Sequence, residues 1–138
     1  MKHPIHPMIV HFPIACWSIA TGIDITSQFI DLKQFNIAGI LILFGIVLAL
    51  PAMVSGLIDM VKIANESPAI AVVMKHMSFI SLAWLCYALS FYMRFDNMEI
   101  LLPNNLSVVL SVSGFIFLSI AGWYGGNLVY RYNIGRVE

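Results

Sequence analysis

The sequence predicts an all-α fold, a transmembrane bundle of four helices with both termini on the same side of the membrane. Of its 138 residues, 60% are hydrophobic and only 10% are charged, whereas about 25% of residues are charged in an average soluble domain. The mean hydropathy is +0.89. The apolar residues form four long runs, and each run is long enough for a helix of about 30 Å, the thickness of the hydrocarbon core.

The four runs cover residues of about 8–30, 37–61, 71–93 and 106–132, and we interpret them as the spans of a single membrane domain. Each run reaches the length of about 20 residues that a spanning helix requires. The alternation of apolar and polar residues that marks barrel strands is absent. Because the connections are short, consecutive spans are expected to be antiparallel neighbours.

The charge and cysteine content exclude several classes of protein. Seven basic and seven acidic residues give a net charge of zero, which leaves no electrostatic footprint for nucleic acid. Cys16 and Cys86 lie inside apolar runs, so we interpret them as small buried hydrophobic residues rather than a disulfide. The first run contains Asp24 and precedes further spans, which argues against a cleaved signal peptide.

The distribution of basic residues predicts the orientation. Four spans place both termini and the second connection on one side, which we call the terminal side. Five basic residues belong to this side, namely Lys2, Lys62, Lys75, Arg131 and Arg136. Two belong to the opposite side, namely Lys33 and Arg94. The positive-inside rule therefore predicts cytoplasmic termini. We expect a multi-pass protein of the bacterial inner membrane.

Ionisable residues at membrane depth are costly, and each is therefore a candidate functional residue. His11 and His76 lie about one turn inside the first and third spans, which cross in the same direction, so they are predicted to lie at a similar depth. Asp59 ends the second span on the same side. Asp24 lies toward the opposite side, and we interpret it as a structural residue that bonds within its own or a neighbouring helix.

The histidines favour a haem site at the terminal side. Neutral imidazole is the commonest metal ligand, and two imidazoles that face each other across a bundle can hold a haem iron from both sides. We predict haem b with His11 and His76 as axial ligands and His6 in reserve, with Asp59 orienting a ligand. The residues expected near the haem propionates are Lys75, Tyr130 and Arg131. Gly126 is a further candidate cofactor-binding residue. Alternatively, each histidine only bonds backbone groups or lipid headgroups at the interface.

Small residues and one proline shape the predicted spans. Gly122 and Gly126 have the GxxxG spacing that lets helix backbones approach closely. Ordinary packing within the bundle is the more frequent use of such residues, and a homodimer through the fourth span is the alternative. Pro51 is expected to kink the second span.

Four segments of the sequence resemble a known family. The opening HPMIVHFPIA, the GLID segment, the histidine early in the third span and the closing GGNLVYRYNIG are similar to those of small bacterial four-span membrane proteins, known mainly as a domain of unknown function. The resemblance covers nearly the whole chain and implies no reaction. The positions that it implicates are His6, His11, Asp59, His76, Gly125, Gly126 and Tyr130.

These observations predict a small b-type cytochrome that transfers electrons in the membrane, a carrier of electrons more than a catalyst. Its expected partners are lipid and a quinone or a redox protein. One alternative is a transporter of metal or other small ions that uses the His and Asp cluster. A second is a structural membrane subunit or assembly factor. An intramembrane metal hydrolase is disfavoured, because the sequence has no H-E-x-x-H motif.

Overall fold

The computed structural model describes residues 5–30, 36–63 and 67–135. These parts of the chain form five helices and two short strands, which confirms the predicted all-α fold. Four helical stretches are long and apolar enough to cross a membrane, and the first of them combines two helices. In chain order the elements are α1 Ile5–Ile9, α2 His11–Thr26, α3 Asn36–Val61, α4 Ala69–Tyr92, β1 Phe95–Asp96, β2 Glu99–Ile100 and α5 Asn105–Tyr130.

The first span is broken at Val10, which separates α1 from α2. Pro13 lies in the first turn of α2 and has no N–H to donate to Ile9, the last residue of α1. Two hydrogen bonds span the break. Val10 N donates to the carbonyl oxygen of His6 at 3.2 Å, and Ile14 N donates to that of Val10 at 3.3 Å. The span therefore starts three residues earlier than predicted, with a helix that packs separately.

The helices close into a four-membered bundle. Helix α4 packs along α5 and α2 packs along α3, while contacts of α2 with α5 and of α3 with α4 complete the ring. Helix α1 lies against α3. Outward-facing apolar side chains are exposed on every span, as expected for a surface that contacts lipid. Examples are Ile19, Phe44, Val54, Leu85 and Ile116.

Two stacked aromatic rings form the centre of the core. The ring centroids of Trp17 and Tyr87 are 4.7 Å apart and the rings are inclined by 8°, and neither side chain is exposed. A Cβ at Gly45 would collide with the indole of Trp17, and one at Gly114 would lie 2.9 Å from Cε2 of Tyr87. These two glycines therefore make the room that large aromatic side chains need between closely packed helices.

The connection between α4 and α5 is a β-hairpin, which the sequence analysis treated as a plain loop. Strands β1 and β2 pair in antiparallel fashion, with Phe95 opposite Ile100. Asn97 and Met98 form the turn with φ of 46° and 66°, the left-handed pair of conformations that suits the twist of a tight hairpin. Helix α5 then begins behind Asn104, whose side chain accepts a hydrogen bond from Ser107 N at 2.8 Å.

The described ends of the chain come close together. A Cβ at Gly135, which has φ of +82°, would lie 3.9 Å from Cγ of Pro7. The turn after α5 folds back, with Ile134 N bonded to the carbonyl oxygen of Leu128 at 2.9 Å. That both termini lie on one side of a membrane stays a prediction.

Candidate functional site

His6 is held against α3 by its Nδ1 atom. Nδ1 lies 2.8 Å from the carbonyl oxygen of Ala52 and 3.2 Å from Oγ of Ser55. Because a carbonyl oxygen can only accept, Nδ1 carries the hydrogen of this bond, and in the neutral ring Nε2 carries the free lone pair. A Cβ at Gly56 would lie 2.9 Å from Cε1 of His6. The imidazole therefore lies directly on the backbone of α3.

His76 on α4 has the same arrangement with α5. Its Nδ1 lies 2.8 Å from the carbonyl oxygen of Ala121, so Nδ1–H again donates and Nε2 keeps its lone pair. A Cβ at Gly125 would lie 3.2 Å from Cε1 of His76. Each histidine is thus fixed in one tautomer by a main-chain carbonyl on a neighbouring helix, with a glycine one turn further along that helix beside the ring.

An electrostatic interaction couples these two imidazoles. Both side chains are half-buried. We call the region around His6 and His76 the histidine end of the bundle. Two partly buried rings with fixed Nδ1–H donors and free Nε2 acceptors form a pair of potential ligands, since metal-bound imidazoles characteristically donate their other N–H to such a carbonyl.

His11, the predicted partner of His76, faces outward. It is the first residue of α2, its side chain is exposed, and it has no hydrogen-bond or ion-pair partner among the described residues. The histidine that interacts electrostatically with His76 is His6, the residue held in reserve. Positions five apart point about 140° away from each other on a helix, so packing His6 against α3 is consistent with an outward-facing His11.

Asp59, the predicted orienting residue, pairs with a lysine instead. Its Oδ1 lies 2.6 Å from Nζ of Lys62, one turn later, with the two side chains 40% and 67% exposed. Residues three apart share a helix face, and the end of α3 is near water. Within the described residues Asp59 has no hydrogen bond to a histidine. No contact therefore supports its predicted role of orienting a ligand.

The two candidate cations for propionates lie beside tyrosine rings. Nζ of Lys75 is 5.8 Å from the ring centroid of Tyr124, and Cζ of Arg131 is 5.7 Å from that of Tyr132. Both cations are exposed. Lys75 precedes His76 directly and Arg131 follows the end of α5, so both belong to the histidine end.

The glycines of α5 have other neighbours than the sequence predicted. Gly125 is the glycine beside a histidine, whereas a Cβ at Gly126 would approach only Tyr130 of the same helix, at 4.0 Å. A Cβ at Gly122 would meet nothing within 4 Å. The GxxxG pair therefore has little role in packing within this chain. Tyr130 is largely exposed, at 79%.

A second polar cluster, which the sequence analysis did not predict as a site, occupies the other end of the bundle. Arg94, one of the two basic residues assigned to the opposite side, has no exposed surface, and neither has Asp24. Nη1 and Nη2 of the guanidinium donate to Oδ1 and Oδ2 of the carboxylate at 2.7 and 2.6 Å. We call this region the arginine end. The expectation that Asp24 bonds to a neighbouring part of the bundle is confirmed.

Serines surround the guanidinium of this pair. Nη2 of Arg94 lies 2.9 Å from Oγ of Ser90 and 3.1 Å from Oγ of Ser111. Further inside, Oγ1 of Thr21 lies 2.8 Å from the hydroxyl of Tyr87. The sequence signal for this cluster was a lone acid deep in the first span, because such an acid requires a buried cation and few were present on that side.

Comparison with known proteins gives one match. A family model described as "Predicted membrane protein (DUF2231)" matches residues 2–138. No significant match is found among curated proteins or solved structures. The matched region contains both histidines of the pair and both residues of the buried ion pair.

Proposed function

We propose that this chain, which belongs to the DUF2231 family of predicted membrane proteins, binds haem b through His6 and His76 and transfers electrons in the membrane. One observation carries the proposal. Two imidazoles that interact electrostatically each donate Nδ1–H to a main-chain carbonyl of another helix, at 2.8 Å in both cases. Both rings therefore offer Nε2 as a ligand in the tautomer that an axial histidine requires.

The number of ligands favours haem over a bare metal ion. A structural zinc ion takes four protein ligands and a catalytic one takes three. The described residues contain no group of three or more His, Cys, Asp or Glu side chains that could hold a metal ion. Haem brings four nitrogen ligands of its own and needs only two from the protein, which His6 and His76 of the described residues could supply. This argument also ranks haem above transport of a metal ion.

The protein's own groups would fix the ligands and shield them. The carbonyl oxygens of Ala52 and Ala121 hold the two ring orientations, and such bonds increase the basicity of the ligating nitrogen. The half-buried position limits access of water. His6 and His76 would hold the haem, and bound haem would supply one-electron redox chemistry. Lys75 and Arg131 are the cations proposed to pair with propionates.

The remaining parts of the proposal concern partners and location. An electron-transfer role implies a quinone or a redox protein as donor or acceptor. The open face at Gly122 allows a second copy to approach α5 closely, which supports a homodimer. We propose the inner membrane of a bacterium as the location, with cytoplasmic termini, on the distribution of basic residues.

The absorption spectrum of the detergent-purified protein tests the proposal. After reconstitution with haem b, we expect sharp reduced α and Soret bands of a six-coordinate, low-spin haem. His6→Ala and His76→Ala should each abolish this spectrum, and His11→Ala, a matched change at an exposed histidine, should preserve it. Loss of the spectrum in His11→Ala but not in His6→Ala would restore His11 as the ligand. A parent protein that binds no haem would favour a structural subunit whose histidines only bond carbonyl groups.

A further inference from the structure

We propose that the hairpin of β1 and β2 is a lid over the arginine end of the bundle, and that the Asp24–Arg94 ion pair is the latch that holds it closed. The proposal does not depend on haem binding. It rests on the position of Arg94, which directly precedes the hairpin and points back into the bundle.

The first step is the pairing of the charges. Both side chains are completely buried, and the guanidinium and the carboxylate make two parallel hydrogen bonds. A pair of this geometry fixes the orientation of both groups as well as their separation. Either charge left alone in this position would be unpaired in an apolar interior. Neither residue can therefore leave without destabilising the other.

The second step is the reach of the latch across the bundle. Asp24 belongs to α2, and the serine oxygens that receive Nη2 belong to α4 at Ser90 and to α5 at Ser111. Ser90 also donates to the carbonyl oxygen of Ser107 at 2.7 Å. One guanidinium thus connects three spans. Its Nε is buried and has no partner among the described residues, so any displacement toward water would satisfy one more donor.

The third step joins the latch to the lid. The carbonyl oxygen of Arg94 accepts a hydrogen bond from Leu101 N at 2.7 Å, which closes the base of the hairpin. Ile100 of β2 packs onto Gly39 of α3, where a Cβ would collide with its side chain. The same Cβ would lie 3.8 Å from Cδ of Arg94. The aliphatic part of the Arg94 side chain, the hairpin and the start of α3 therefore meet at Gly39.

Together these contacts distinguish a closed from an open lid. With the pair intact, Arg94 is drawn inward and Ile100 rests on Gly39. With the charge of Asp24 removed, the unpaired guanidinium gains most by moving toward water or lipid headgroups, as arginines near span ends do. Because Arg94 and the hairpin are adjacent in the chain, that movement lifts Ile100 from α3.

A disulfide between positions 39 and 100 measures whether the lid is closed. The Cβ atoms would be 3.9 Å apart, which is within the range for a disulfide. The protein would carry Gly39→Cys and Ile100→Cys, with Cys16→Ala and Cys86→Ala to remove the native thiols. We expect rapid disulfide formation under a mild oxidant in detergent. Asp24→Asn should slow it at least fivefold because it leaves the guanidinium unpaired. Arg94→Met should do the same because it removes the hydrogen bonds that anchor the start of the hairpin to α2, α4 and α5.

The combined variant Asp24→Asn/Arg94→Met decides whether the charges act as one unit. It should be no slower than either single variant, because both single changes already release the same latch. If the single variants do not accumulate, the unpaired buried charge in each of them prevents folding. A combined variant that accumulates and forms the disulfide slowly then supports the latch. Lys62→Gln removes the exposed ion pair at the histidine end and should leave the rate unchanged.

The following outcomes would contradict the proposal. The latch is refuted if the single variants or the combined variant form the disulfide at the parental rate. It is also refuted if the combined variant is slowed by the product of the two single effects, or fails to accumulate. A comparable slowing in Lys62→Gln would show that the effect is not specific to the buried pair.

Discussion

The imidazole of His6 lies on Gly56 so closely that no other residue fits at position 56 without moving the ring. A Cβ there would lie 2.9 Å from Cε1 and 3.2 Å from Nδ1, which is tighter than van der Waals contact allows. The bond from Nδ1 to the carbonyl oxygen of Ala52 fixes the ring in this place. The histidine end therefore depends on a residue that has no side chain.

We predict that Gly56→Ala weakens haem binding roughly tenfold, the effect typical of changes that disturb the support of a ligand. The added methyl group would push the His6 ring off α3 and break its bond to Ala52. Titration of the purified protein with haem measures the affinity. Gly122→Ala is the matched control, because a Cβ there meets nothing within 4 Å, and equal affinity in both variants would contradict the prediction.

We predict that Tyr87→Phe lowers the free energy of unfolding by about 1 kcal/mol, the usual worth of a buried hydrogen bond. The change removes the hydroxyl that bonds to Thr21 at 2.8 Å and keeps the ring stacked on Trp17. Tyr87→Ala should cost about 3 kcal/mol or more, because it leaves a cavity. Reversible unfolding in detergent measures both, and Tyr92→Phe, at a residue 77% exposed, should change nothing.

We predict that Asp59→Asn leaves both haem content and spectrum unchanged. The carboxylate pairs with Lys62 at the surface, and exposed pairs contribute less than about 1 kcal/mol. Haem per protein chain and the reduced spectrum are the measurements. A loss of haem, or a shifted redox midpoint, would instead support the orienting role that the sequence suggested.

We predict that reporter fusions after Glu138 and at Asn97 lie on opposite sides of the membrane, with the first in the cytoplasm. The expectation rests on five basic residues on the terminal side against Lys33 and Arg94 on the opposite side. A cytoplasmic reporter gives activity after Glu138, and a periplasmic one gives it at Asn97. The reverse pattern would overturn the orientation.

The sequence sufficed for the four spans because their lengths and composition are dictated by the membrane. It did not suffice for the hairpin, since strands of two residues leave no periodic pattern, and the turn is made by Asn97 and Met98 rather than by a glycine. The sequence identified Arg94 only as a basic residue of the opposite side, because nothing in it shows which way a side chain just beyond the end of a span turns. The side chain of Arg94 turns inward to reach an acid 70 positions earlier.

The histidine pair shows the same difficulty at closer range. Depth along the spans made His11 and His76 look equivalent, but depth does not determine direction around a helix. The missing N–H of Pro13 ends α1 at Ile9, and this break lets the first helix pack on α3 with His6 inward. The sequence contained that proline, but the packing of α1 depends on tertiary contacts.

Helix α4 and the turn that follows it place residues of both ends of the bundle on a single inward stripe. Arg94 follows His76 by 18 positions, which is about five complete turns, with Tyr87 on the same stripe. One residue inserted between Ile80 and Ala83 would rotate one half by about 100° relative to the other. Either His76 or Arg94 would then face lipid, so the length of this helix is as constrained as the identity of its residues.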